Sequence, residues 1–278
     1  MRLGGPLFER FTDPKKWVEA LKRLGYSAAY CPVRADQGDG VIASYVQAAA
    51  AAGVVIAEVG AWSNPISDDE KTRAEALASC KRQLALAEKV GARCCVNIAG
   101  SRGQQWDGPD TENFSEETFD RIVSTVREII DEVQPTRTFY TLEPMPWVPP
   151  DSPDSYLELI RAIDRERFAV HLDPANMVNG TRLYYGNADL LRECFAKLGP
   201  YIKSVHAKDV LMTNDFNVNI SQVAPGRGHL DYGVFLKEMD KLDPDTPLLT
   251  EHLQTAEQYD QAAAYIRSVA AQVGVKIV

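Results

Sequence analysis

Residues 168–209 read FAVHLDPANMVNGTRLYYGNADLLRECFAKLGPYIKSVHAKD. Phe168–Leu172 and Ile202–His206 are short, mostly apolar runs, as expected of strands buried on both faces. Between them Asn187-Ala188-Asp189 supplies a helix start, Leu190–Leu198 an amphipathic stretch and Gly199-Pro200 a stop. A buried strand, a crossover helix and a second buried strand make one unit of a parallel sheet.

The same alternation runs outward in both directions. Further strands are predicted at Ala28–Pro32, Val54–Val59, Cys94–Ile98, Phe139–Leu142 and Leu248–Glu251, with a weaker one at Arg2–Leu7, which holds two glycines. Helices are predicted over Lys15–Leu24, Val41–Ala52, a long stretch from Ser67 to Val90, Thr118–Val133, Asp154–Ile163, Tyr232–Leu242 and Glu257–Val273. Eight strands alternating with eight helices in 278 residues favour a closed barrel over an open doubly wound sheet. No Gly-x-Gly-x-x-Gly turn follows the first strand, which argues against a dinucleotide-binding fold. The expectation is one (β/α)8 TIM barrel, a single domain over residues 1–278.

Composition narrows the function. Thirty basic residues against 39 acidic ones give a net charge of −9, and no long Lys/Arg run occurs. A nucleic-acid partner would need clustered positive charge, so none is expected. No apolar run approaches the roughly 20 residues that span a bilayer, so no membrane partner is expected either. Met1–Phe8 lacks the apolar region of a secretory signal. The five cysteines are odd in number, with no C-x-x-C pair, and read as buried thiols of a cytoplasmic protein.

Four consecutive predicted strands end in ionisable residues: Leu142-Glu143-Pro144, Leu172-Asp173-Pro174, Val205-His206-Ala207 and Thr250-Glu251-His252. In a barrel these ends converge on one mouth. Three carboxylates crowded there would repel one another, and a divalent cation removes that penalty. Glu143, Asp173, His206 and Glu251 are therefore the expected metal ligands. Three oxygen donors and one imidazole suit Mn²⁺, Mg²⁺ or Co²⁺ better than a closed tetrahedral Zn²⁺ site. Mn²⁺ is the first choice, with Mg²⁺, Co²⁺ and Zn²⁺ as alternatives.

Other residues fall near the same mouth. Lys208 lies two positions beyond His206 and so shares its face. Trp62, Trp106 and Trp147 sit in loops after strands, where indoles pack on sugar rings or on the rim of the fold. His229 falls in the long loop Ala207–Leu230, and the turn Pro225-Gly226-Arg227-Gly228 is either an anion-binding nest or a tight turn. His171 points to the same face as Asp173, one layer deeper, while His252 alternates away from Glu251. Glu58 is a weaker candidate for a carboxylate in the pocket. The loops Gly100–Ser115 and Ala207–Leu230 are long enough to act as lids.

The chain resembles the sugar phosphate isomerase/epimerase group of xylose isomerase-like barrels. The resemblance is carried by Leu142-Glu143-Pro144, His171-Leu172-Asp173-Pro174-Ala175-Asn176, Val205-His206-Ala207-Lys208-Asp209, Pro225-Gly226-Arg227-Gly228, Glu251-His252 and Trp62-Ser63-Asn64-Pro65. It implies a metal-dependent isomerase or epimerase of a small carbohydrate or keto-polyol, working through an enediolate. Glu143 and Glu251 would then be both metal ligands and the catalytic acid/base pair, and Arg227 a contact to substrate oxygens. Asn176, with Lys208, His229 and the three tryptophans, completes the expected substrate contacts. Asn176 stands where the ketose 3-epimerases carry His, and Pro149 where they carry a second Glu. The alternative is a lyase or dehydratase of a keto-sugar, keto-glycoside or keto-cyclitol, as in the keto-inositol dehydratases that share the metal core. The resemblance also implies a homodimer or homotetramer. A DNA repair phosphodiesterase on the same barrel would need more than the four histidines present, and a barrel that only binds carbohydrate would tolerate loss of either Glu.

Overall fold

A computed structural model describes residues 1–278. Eight parallel strands close into a barrel: β1 (Arg2–Gly4), β2 (Ala28–Tyr30), β3 (Val55–Gly60), β4 (Cys94–Asn97), β5 (Tyr140–Leu142), β6 (Phe168–Leu172), β7 (Ile202–Ala207) and β10 (Pro247–Thr250). Each strand pairs with its neighbours in chain order, and β1 closes the ring against β10. The (β/α)8 architecture is therefore the one expected, although β1 stops at Gly4 rather than Leu7. A Cβ at Gly4 would lie 2.3 Å from the carbonyl oxygen of Ala28, so only glycine permits β1 to approach β2 this closely.

Helices α1 (Pro14–Arg23), α2 (Asp39–Ala52), α3 (Glu70–Val90), α4 (Glu116–Val133), α5 (Pro153–Ile163), α7 (Asn187–Leu198), α8 (Tyr232–Met239) and α9 (Ala256–Val273) cover the ring. Their starts follow local chemistry. Asp13 accepts from Lys15 N at 2.8 Å with Pro14 in the first turn, and Ser115 accepts from Thr118 N at 3.2 Å. Thr255 and Gln258 form a reciprocal capping box at α9. The α4 face of Ile122, Val126, Ile129 and Ile130 is buried, which decides the helix through packing rather than propensity.

Two elements inside predicted loops were not foreseen. A short helix, α6 (Thr181–Tyr185), precedes α7, and residues 209–223 form an antiparallel hairpin, β8 (Asp209–Met212) with β9 (Ile220–Val223). The run 207–230 is therefore a structured arm rather than an irregular loop.

The main apolar core of 60 buried residues includes Leu84, Ile129, Leu159 and Phe235, which the helices turn toward the sheet. The barrel interior is different. Its inward positions include Glu58, His171, Ser204 and His206, all essentially excluded from solvent. One outer residue sets the spacing of the two strands beneath the site. The buried hydroxyl of Tyr156, on α5, donates to Leu142 O at 2.5 Å and accepts from Leu142 N and His171 N at 3.2 and 3.3 Å. It thus pins β5 to β6 directly before Glu143 and Asp173.

Candidate metal centre

Glu143 and Asp173 follow the last residues of β5 and β6, His206 is the penultimate residue of β7, and Glu251 follows β10. Strand pairing aligns them: Leu249 lies beside His206, and Leu172 beside Val205. One ligand atom from each of the four lies within 4.8 Å of all the others. His206 Nδ1 is 2.8 Å from Glu251 Oε1 and 3.5 Å from Glu143 Oε1. Glu143, Asp173 and His206 are buried, and the Glu251 side chain is 11% exposed.

Lys208 completes the cluster. Its ammonium donates to Glu143 Oε1 at 3.0 Å, lies 2.7 Å from Asp173 Oδ2, and also contacts Glu251 Oε1. Burial resists ionisation of Glu143, but Lys208 and His206 outweigh it and hold that carboxyl well below the usual range. Glu251 is likewise lowered against burial, chiefly by His206. Asp173 is raised, because burial and the charges of Glu143 and Glu251 exceed the help from Lys208. One ammonium thus leaves part of the carboxylate repulsion uncompensated. In addition His206 Nδ1, Asp173 Oδ2 and Glu251 Oε1 are buried and close to partners, yet none makes an aligned hydrogen bond. Three ligand atoms that are in close polar contact yet lack an aligned hydrogen bond converge on one space and fit a divalent cation, with Glu143 as the fourth ligand.

A deeper layer orients the imidazole. Glu58 Oε1 lies 3.2 Å from His206 Nε2, and Ser204 Oγ donates to Glu58 Oε2 at 3.1 Å. Glu58 therefore accepts the Nε2 proton and leaves Nδ1 facing the cluster, the arrangement metal-binding histidines use. His171 Nδ1 sits 3.4 Å from Glu58 Oε2, and its ring meets that of His206 edge-on at 4.0 Å. Burial, with His206 beside it, lowers the His171 pKa to about 4, so this ring is neutral at pH 7.

Above the cluster a cavity of about 540 Å³ opens at the barrel mouth. Glu143, Glu251, Asn176, Lys208 and all three tryptophans, Trp62, Trp106 and Trp147, line it. Asn176 Nδ2 donates to Glu143 Oε1 at 3.0 Å and so orients a ligand as well as facing the cavity. Lys208, expected as a substrate contact, has its ammonium among the carboxylates.

Two expected contacts lie elsewhere. Arg227 reaches Gln261 on α9 at 3.4 Å, in a separate groove. The amides of the Gly-rich turn are already taken: Gly226 N and Gly228 N donate to Asp209 Oδ2, each at 3.0 Å. The turn is thus a tight turn around an internal carboxylate, not an open nest. His229 stacks on Tyr184 at 4.8 Å and does not line the cavity.

Sequence reasoning missed Gln222 and misplaced His252. Gln222 on β9 donates to Asn176 Oδ1 at 2.7 Å, and His252 Nδ1 lies 3.2 Å from Gln222 Oε1. His252 was expected on the face away from the mouth. The strand ends at Thr250, and the positive φ of 56° at His252 breaks the alternation and turns it toward the cavity. Gln222 carries no signal of its own, because its place depends on the hairpin register.

Comparisons agree with this architecture. No curated protein matches the chain by sequence. Among solved structures, D-psicose 3-epimerase from Clostridium cellulolyticum H10, with D-tagatose, superposes with a TM-score of 0.69 at 16% identity, covering 99% of this chain and 100% of that one. The probable 3-DHS dehydratase AsbF of Bacillus anthracis gives 0.71 at 16%, over 96% and 98% of the two chains. A xylose isomerase-like TIM barrel protein of Mycobacterium smegmatis, in complex with magnesium, gives 0.65 at 18%, over 95% and 91%. At such identities the likeness speaks to fold alone. The model of the xylose isomerase-like TIM barrel family matches residues 18–269, most of the chain, and the chain belongs to that family.

Proposed function

We propose that this protein is a divalent-metal-dependent isomerase or epimerase of a small carbohydrate or keto-polyol. The carrying observation is the convergence of Glu143, Asp173, His206 and Glu251 beneath an aromatic cavity, with three ligand atoms left without aligned hydrogen bonds. A bound divalent ion supplies Lewis-acid polarisation of a substrate carbonyl. Glu143 and Glu251 come from β5 and β10, separated around the rim, and both line the cavity. One carboxylate takes the proton from the carbon next to the carbonyl, giving an enediolate, and the other returns a proton to the opposite face. Asn176 holds Glu143 in place, Glu58 holds the His206 ring, and the tryptophans line the cavity above. D-psicose 3-epimerase and the probable 3-DHS dehydratase share this fold, so the barrel is one that accommodates a reaction of this kind. A lyase outcome shares the first proton transfer and differs in losing a β-hydroxyl from the enediolate. The hydroxyl leaves as water with a proton from the second carboxyl, and Asn176 and Pro149, where ketose 3-epimerases carry His and Glu, make this the second reading.

Solvent exchange tests the proposal. With Mn²⁺-loaded protein in D₂O, deuterium is expected at the carbon next to the carbonyl of a turned-over ketose, read by NMR. Glu251→Gln is expected to retain the ion and lose on the order of 10²-fold in rate. A product free of solvent deuterium, or wild-type rate in Glu251→Gln, would overturn the mechanism.

A further inference from the structure

Charge and aromatic content of the cavity bear on what enters it, an inference that rests on the functional reading above. Lys208 is the only lysine or arginine lining the cavity, and its ammonium is already engaged by Glu143, Asp173 and Glu251. Asp107 adds a further carboxylate to the wall. With a divalent ion in place, the lining carboxylates Glu143, Glu251 and Asp107 balance the ion and Lys208, so no net positive charge is left for an anionic substituent. Arg102 is ion-paired with Asp68 at 2.7 Å, and Arg227 lies in a separate groove. A phosphoryl or carboxylate group would lose its hydration without gaining a bidentate or ammonium partner.

The outer wall offers a different chemistry. Trp62 and Trp106 are 46% and 37% exposed, large values for indoles, and neither stacks on another ring of this chain. Trp147 lines the same cavity. Exposed indoles above suit the C–H face of an uncharged sugar ring. The ligand cluster lies deep and buried, while these indoles reach solvent. The cavity volume of about 540 Å³ falls within the range of about 300–1,000 Å³ usual for pockets that bury drug-sized ligands.

We propose that the substrate is an uncharged keto-sugar carrying a second, uncharged ring: its keto end reaches the carboxylate cluster and its outer ring packs against Trp62 and Trp106. Phosphorylated and carboxylated sugars are excluded by the same wall.

Probes that share one ketose and differ only in its substituent test this. D-fructose, D-fructose 6-phosphate, isomaltulose (a glucosyl group on O6) and maltulose (the same group on O4) are compared on the Mn²⁺-loaded protein. Binding is read by tryptophan fluorescence and calorimetry, and proton exchange by NMR in D₂O. At least one disaccharide is expected to bind about ten-fold tighter than fructose, with fructose 6-phosphate no tighter than fructose. Trp62→Ala and Trp106→Ala are each expected to cost more disaccharide affinity than fructose affinity. Equal binding of fructose and both disaccharides, no binding of either disaccharide, or preferential binding of the phosphate would overturn the inference. Exchange separates it from the functional reading. A disaccharide that binds well while no sugar exchanges leaves the substrate class standing and removes the isomerase. Fastest exchange on fructose 6-phosphate does the reverse.

Discussion

At the residue scale the decisive feature is how each polar side chain inside the barrel is held by another. Glu58 contacts neither the cavity nor the carboxylate cluster, yet it accepts from Ser204 and faces His206 Nε2. Carboxylates in this position fix the ring orientation and tautomer of a metal-binding histidine. Glu58→Leu is expected to weaken Mn²⁺ binding by about 10- to 100-fold in calorimetry, with Glu58→Gln intermediate because its amide oxygen still accepts the Nε2 proton. Equal affinities across the three proteins would remove that role. The cluster itself was legible in sequence, because Glu143, Asp173, His206 and Glu251 each sit at a predicted strand end and barrel geometry turns strand ends toward one mouth. The partnership of Glu58 was not legible. It depends on a strand four positions away in the ring, β3, facing β7 across the barrel, which no local pattern encodes.

At the element scale the hairpin β8–β9 is the part the sequence concealed. Val210, Leu211 and the 220–223 run are too short to stand out from loop, and the strands exist because they pair with each other. Through Gln222, Asn176 and Glu143 the hairpin is tied to the proposed ligand set, while its tip residue Phe216 is fully exposed. Gln222→Ala is expected to speed amide exchange across 209–223, and a bound sugar to slow it in the parent protein. Unchanged exchange in both experiments would rule out a closing arm. A second element-scale contact couples α3 to the chain entering β5. Burial opposes ionisation of Glu88, but hydrogen bonds from Thr136 Oγ1, Arg137 N and Thr138 N outweigh it and lower its pKa to about 2. A carboxyl depressed in the folded state stabilises above its unfolded value, and that contribution disappears as pH falls through the folded value. Glu88→Gln is therefore expected to cost about 1–2 kcal/mol at neutral pH. The gap to the parent protein should narrow as pH falls from about 4.5 toward 2, followed by urea denaturation; a gap independent of pH would contradict the account.

At the scale of the whole molecule, the fold buries carboxylates in its interior while carrying a net charge of −9, so the proposed ion is expected to stabilise the fold. At a free Mn²⁺ concentration 100 times its Kd, stabilisation is expected to reach about 2.7 kcal/mol. That corresponds to a Tm rise of several degrees, about 2–4 °C per kcal/mol for a domain of this size class. EDTA should reverse the rise, and the double variant Asp173→Ala, His206→Ala should not show it; an equal rise in that variant would place the ion elsewhere. No helix is long and apolar enough to cross a membrane. The sequence by itself determined the β/α alternation, the closed barrel and the four ionisable residues that converge at its mouth. Each follows from short-range signals: apolar runs, caps, stops, and an ionisable residue at a strand end. Only the tertiary structure decided that Asp209 fills the glycine-rich turn, that Arg227 and His229 face away from the cavity, and that His252 and Gln222 join it. Those outcomes depend on hairpin register, on the left-handed turn at His252 and on contacts between residues far apart in the chain. Their energies arise only once the barrel has closed and brought the partners together.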